Sequence, residues 1–219
     1  MKTSGKTICT QLSHLSSLDL CVARPDIQKK DPILWEVLKA AVFLDKYLAD
    51  TLAREKRPLA CHAGCGACCH QPIPLTLAEL LAIKSFLRLA GMRQPLASSA
   101  KERGEDKGKT SSTCMFLHED SCSIYPVRPF ACRRYLVFNR PCVMGEDAAS
   151  SRPQDMLISS QKILFDALCL TLPVYRLLER PTPQVVTREF FTRNTFIMHD
   201  LPLLGEKSCP GEREEEGKE

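Results

Sequence analysis

A chain of 219 residues, 44% hydrophobic and 26% charged, has the composition of a soluble globular protein long enough to bury a core. The net charge is +4, and six acids against three bases in residues 205–219 leave +7 on residues 1–204, too mild an excess to define a nucleic-acid surface. Aromatic content of 6% offers no stacking platform for single strands, and no run of about 18 apolar residues is present to cross a bilayer.

Residues 1–30 read as a loosely ordered N-terminal arm. Its basic residues are followed by His14, Ser16, Ser17 and Asp19, which interrupt any apolar core of a targeting segment. The expected compartment is therefore the reducing cytoplasm, where twelve cysteines favour metal over disulfides. Cys9 and Cys21 lack a CxxC partner and read as ordinary thiols. Asp31-Pro32 combines an N-cap with proline at the first helical position. Leu34, Val37, Leu38, Ala41, Leu44, Leu48 and Leu52 then recur at helical spacing, predicting an amphipathic helix over 33–54.

The helix delivers the chain to Cys61-His-Ala-Gly-Cys65-Gly-Ala-Cys68-Cys69, four thiols in nine residues. Soft thiolates at such separations suit zinc, iron or an iron–sulfur cluster. A rigid peptide unit separates Cys68 from Cys69, so the pair is easier to explain if its members serve two metals or one bridges them. Thr76-Leu-Ala-Glu79 is a capping box opening a helix over 76–90, ended by Gly91. Residues 93–113 lose periodicity and read as a charged, solvated loop.

A second cluster follows at Cys114, Cys122, Cys132 and Cys142, with Pro126 and Pro129 preforming a turn between its middle members. Tyr135–Phe138 reads as a short strand or extended segment. A further helix is expected over 154–178, opened by Ser151 and Gln154 and kinked or divided by Pro173, with Cys169 in its apolar packing. A last short helix is expected from Thr182-Pro183 through Phe190, Phe191, Phe196 and Ile197. Residues 201–219, with Cys209, read as a flexible charged tail.

Neither cluster alone is a tidy pair of CxxC knuckles, so the economical arrangement folds both onto one centre. Cys61, Cys65, Cys68, Cys69, Cys114, Cys122, Cys132 and Cys142 are the candidate ligands, enough for two tetrahedral sites or one polynuclear iron site with spare thiols. Arg128 and Arg133, close to Cys132, are placed to donate hydrogen bonds to sulfur or to a neighbouring carbonyl. His62, His70 and His118 each lie within four residues of a candidate ligand and are weaker candidates. His14 and His199 have no supporting neighbours in sequence.

The run Gly64-Cys-Gly-Ala-Cys-Cys69 with Pro72-Ile-Pro-Leu-Thr76 resembles the opening of the YkgJ-type cysteine-cluster family. Cys114-Met-Phe-Leu117 and Cys122-Ser-Ile-Tyr125-Pro-Val-Arg128-Pro129-Phe-Ala-Cys132-Arg133 are similar to its second half. Cys65, Cys68, Cys69, Cys114, Cys122 and Cys132 match the pattern, Cys61 fits an upstream extension and Cys142 matches less closely. The charged insertion before Cys114 departs from the pattern in a loop. The resemblance spans about residues 58–142 and implies zinc or iron chelation, with Tyr125, Arg128 and Arg133 around the ligands. It fixes neither the metal nor a reaction.

Together these readings predict a mainly α, small helical protein organised around a cysteine-rich metal centre in irregular loops. A single helical domain is expected over 31–200, with its cysteine core at 58–142 and C-terminal helices at about 151–200. The leading expectation is a metal-binding protein that holds zinc or iron, an iron–sulfur or polynuclear iron centre included. The alternative is an iron-dependent metalloenzyme modifying a peptide or small molecule. A zinc module binding nucleic acid through the arginines of 128–140 ranks third, since aromatic interleaving and a recognition helix are lacking.

Overall fold

The computed structural model describes residues 12, 14–62, 64–92, 113–157 and 159–198. The expected loop at 93–113, apart from Thr113, and the expected tail at 201–219, with Cys9, His199 and Cys209, lie outside them. The fold is mainly helical, and its spine is the helix α3, Pro32–Leu52. Asp31 accepts the Leu34 N–H at 3.0 Å and Pro32 fills the first turn, as the sequence predicts.

Two short helices precede the spine, α1 at Ser17–Ala23 and α2 at Ile27–Lys30. This stretch was expected to belong to a loose arm. Instead Ser16 and Asp19 form a capping box, and Leu20 and Ile27 are buried in the same core as Leu34 and Leu38. These two apolar anchors, too widely spaced to show a helical period, account for the difference.

The helix α4, Leu77–Leu89, packs along α3. Its capping box is as predicted, with Glu79 accepting from both the N–H and the hydroxyl of Thr76 at 2.7 Å. Past the second cluster come α5 (Phe130–Arg134) and α6 (Ala148–Ser151). The helix expected over 154–178 is instead three pieces. Pro153–Asp155 is a 3₁₀ turn, α7 runs Gln161–Cys169 and α8 runs Leu172–Leu177, divided just before Pro173. Met156 is drawn into a β-bridge with Val137, and that extended backbone delays the helix start to Gln161.

The last expected helix is likewise shorter, α9 at Arg188–Arg193. Residues Thr195–Ile197 form strand β4 rather than helix, pairing antiparallel with β1 (Pro74–Thr76), as suits β-branched and aromatic side chains. A second ribbon joins β2 (Leu117–His118) to β3 (Ser121–Cys122). Its turn residues Glu119 and Asp120 both have positive φ, the geometry that matches the twist of a tight hairpin. Tyr135–Phe138 is extended, with Leu59 bridged to Phe138.

Two apolar clusters flank the spine. Leu34, Val37 and Leu38 join α1, α4 and Phe116, whereas Ala41, Leu44 and Leu48 join Phe130, Phe138, Leu157 and Ala167. Cys21 and Cys169 pack at the edge of the first cluster, consistent with ordinary thiols. The candidate cysteines lie on loops and short elements beside the spine, Cys122 on β3 and Cys132 on α5. Among the described residues no helix is long and apolar enough to cross a membrane.

Candidate metal centre

The first cluster is anchored at its start and folded at its end. Ala60 donates its N–H to the Val137 carbonyl at 2.8 Å, and the Val137 N–H reaches the Cys61 sulfur at 3.3 Å. Gly64, at φ +81°, reverses the chain in a conformation that a side chain would strain. A 3₁₀ turn, Ala67–His70, then carries Cys68 and Cys69. Gly66 has a different reason to be glycine, since a Cβ there would meet the Leu117 side chain at 3.1 Å. Its absence lets the β2–β3 hairpin close onto the first cluster.

The second cluster is built on that hairpin and the proline turn. Cys114 donates its N–H to the Cys69 carbonyl at 2.7 Å, and Cys122 stands opposite Leu117 in the ribbon. Tyr125–Val127 is a 3₁₀ turn from which Pro129 leads into α5, the carrier of Cys132. The start of α5 is fixed from the core side, because the second oxygen of buried Glu79 accepts the Phe130 N–H at 2.7 Å.

Cys61, Cys65, Cys68, Cys69, Cys114, Cys122 and Cys132 line one cavity of about 620 Å³ beside the spine residues Asp45, Leu48 and Leu52. Cys142 is off that wall, its sulfur 3.3 Å from the Arg152 guanidinium. Among the described residues no three His, Cys, Asp or Glu side chains are gathered at metal-coordinating geometry. The sulfurs share a space without being drawn onto a point.

Burial keeps most of these thiols protonated. It pushes Cys114 up to about 11 and holds Cys122 and Cys132 above the ordinary thiol range. Cys61 and Cys142 are raised for the same reason, opposed respectively by the Val137 N–H and the Arg152 charge. Cys68 differs. A hydrogen bond from Cys69 draws it down to about 7, with Arg128 acting in the same direction, and Cys69 is pushed up in turn.

The two predicted arginines play unlike parts. Arg128 stacks on the Tyr125 ring at 4.1 Å and lines the cavity, with its Nε buried and without a hydrogen-bond partner. Arg133, 2% exposed, pairs with Asp45 at 2.7 Å and donates to the carbonyls of Arg128 and Pro126 at 3.0 and 2.8 Å. Of the two acceptors proposed for it, it takes the carbonyls. It holds the proline turn against the spine.

The histidines separate too. His62 lines the cavity, His118 is exposed, and His70 meets the Thr113 hydroxyl at 3.1 Å. His14, given no role from the sequence, also lines the cavity, as does Met198, whose thioether is 3.5 Å from the Cys114 sulfur. Arg152 was missed altogether. It is 2% exposed and grips Glu146, Asp155, the carbonyls of Phe138 and Arg140, and Cys142. An arginine beside a proline carries no local signal of such burial.

The donor set suits a thiophilic cation. Seven sulfurs face one space, and the buried Nε of Arg128 is a donor still lacking the acceptor that a metal-bound thiolate would supply. A family model described as "CxxCxxCC: Putative zinc- or iron-chelating domain" matches residues 60–153. No curated protein and no solved structure gives a significant match.

Proposed function

We propose, on the match of residues 60–153 to the model of the YkgJ-type cysteine-cluster domain, that the protein is cytoplasmic and binds zinc or iron through Cys61, Cys65, Cys68, Cys69, Cys114, Cys122, Cys132 and Cys142. The observation that carries the reading is the seven thiols, from two sequence clusters, on one cavity wall. Thiolates select zinc, ferrous iron and iron–sulfur clusters over harder cations. A bound ion cross-links loops that have little core of their own, so binding energy becomes folding energy. Arg128 offsets the thiolate charge, and Arg133 keeps the turn that carries Arg128 in place.

A second reading, an iron-dependent enzyme acting on a peptide or small molecule, draws on the cavity itself. Its volume of about 620 Å³ lies within the usual range for small-molecule sites, roughly 300–1,000 Å³, and far exceeds what a lone ion needs. Both readings meet the same first test. Protein purified without oxygen is analysed for metal and scanned for sulfur-to-iron charge transfer. Stoichiometric zinc or iron is the expected result. Folded protein that stays metal-free after anaerobic reconstitution with either metal would overturn both.

A further inference from the structure

The cavity has an aliphatic side besides its thiols. Leu48 and Leu52 of α3 line it with Leu59 and Leu136, and Tyr125 joins them from the proline turn. Leu59 and Tyr125 are 43% and 40% exposed, so apolar surface there faces a concave space instead of being packed away in the fold. Concave apolar surface with a few polar groups is the usual make-up of a small-molecule site.

The polar group of interest is Arg128. Of the acids on the cavity, Asp45 is held by Arg133 at 2.7 Å and Asp120 sits at the hairpin turn beside Gly66. Among the described residues no carboxylate pairs with Arg128. Its position is fixed by the fold. The Tyr125 ring lies against the guanidinium at 4.1 Å, Pro129 follows it in the turn, and Arg133 Nε donates to the Arg128 carbonyl at 3.0 Å. An arginine ordered in advance loses little freedom on binding, and its planar fork matches the two oxygens of a carboxylate. Because Nε is buried, the fork available is that of the two terminal nitrogens.

We infer that Arg128, stacked on Tyr125, anchors the carboxylate of a small organic acid whose apolar body lies on Leu48, Leu52, Leu59 and Leu136. This ligand class rests on the small-molecule reading of the cavity given above and narrows it to an apolar monocarboxylate, either a free acid or the C-terminus of a short peptide. A single guanidinium in an aliphatic surround matches one negative charge on an apolar body. A phosphate dianion would need more donors than this wall supplies. Binding is non-covalent, and no proton or electron is transferred.

The test is calorimetric titration of full-length protein, purified without oxygen, with octanoate, with octanamide as its uncharged match, and with acetyl-alanyl-leucine as a peptide carboxylate. At least one carboxylate should saturate a single site, and octanoate should bind about tenfold or more tightly than octanamide, the scale of a hydrogen bond to a charged group. Arg128→Gln should remove that difference. Arg128→Lys, which keeps the charge without the fork, should keep part of it and serves if Arg128→Gln fails to fold. Tighter binding of the acetylated dipeptide than of octanoate assigns a peptide terminus, and the reverse assigns a free acid. Equal binding of octanoate and octanamide to the parent, or an unchanged difference in Arg128→Gln, would overturn the inference. So would tighter binding of inorganic phosphate, or no saturation by either carboxylate at about 10 mM. Metal measured on the same samples separates the readings. Metal without carboxylate binding overturns this inference alone, and carboxylate binding by protein that takes up no metal overturns the metal reading alone.

Discussion

Cys114 donates its backbone N–H to the carbonyl of Cys69 at 2.7 Å, so the two cysteine clusters are joined through the main chain. The 44 residues between Cys69 and Cys114 leave the first cluster as α4 and return to it at the hairpin. What makes that return possible is small and specific: Gly66 leaves room for Leu117, and Glu79 holds the start of α5.

Glu79 is the first point to test. Its carboxylate accepts from Thr76 N–H, the Thr76 hydroxyl and Phe130 N–H within 2.7 Å, and it is 3% exposed. Glu79→Ala strands two buried N–H groups at once, with an expected loss of about 2–4 kcal/mol of stability. Urea denaturation measures it. A change below about 0.5 kcal/mol, the scale of an ordinary surface substitution, would show that the carboxylate does not hold α5.

The buried ion pair should respond asymmetrically. Arg133 is almost wholly buried, whereas the Asp45 side chain is 33% exposed. Arg133→Met strands two carbonyls but leaves Asp45 partly solvated, and an expected cost of about 2–4 kcal/mol allows for that screening. Asp45→Asn keeps a polar partner for the guanidinium and should cost less. Thermal unfolding of the two variants checks the order, and equal or reversed effects would count against Arg133 as the clamp.

Much of this fold was legible in the sequence. The α3 and α4 helices announce themselves by Asp31-Pro32, the Thr76/Glu79 box and apolar spacing, and their bounds lie within two residues of the expectation. The C-terminal third was not legible in the same way. Met156 and Thr195–Ile197 become extended because they find partners in Val137 and Pro74–Thr76, which local propensity does not register. At the candidate centre, cysteine spacing pointed to eight residues of which all but Cys142 line one cavity. His14 and Met198 were invisible because each arrives from a distant part of the chain, and Arg152 because an arginine beside a proline carries no local signal of burial.

Arg152 gives a prediction of its own. Arg152→Ala removes the common anchor of Glu146, Asp155 and the carbonyls of Phe138 and Arg140. Limited proteolysis should then cut within 139–147 at protease concentrations that leave the parent intact. Unchanged resistance would mean that the loop is held by other contacts.

Metal uptake should depend on pH with a definite sign. Burial raises the thiols of Cys61, Cys114, Cys122, Cys132 and Cys142 above their ordinary value, so near neutral pH each is protonated in the metal-free protein. Coordination needs the thiolate, so loading releases protons and affinity falls as pH falls, by about tenfold per pH unit for each such ligand. Proton release into a weakly buffered indicator during zinc addition checks this. Uptake without proton release between pH 6 and 8, about the neutral range, would contradict thiol ligation.

The most direct test of the central claim is X-ray absorption at the metal edge of protein purified without oxygen. Thiolate ligation predicts a first shell dominated by sulfur, at about 2.3 Å if the ion is zinc. A first shell of nitrogen and oxygen near 2.0–2.1 Å, about the zinc–imidazole distance, with no sulfur contribution would contradict it.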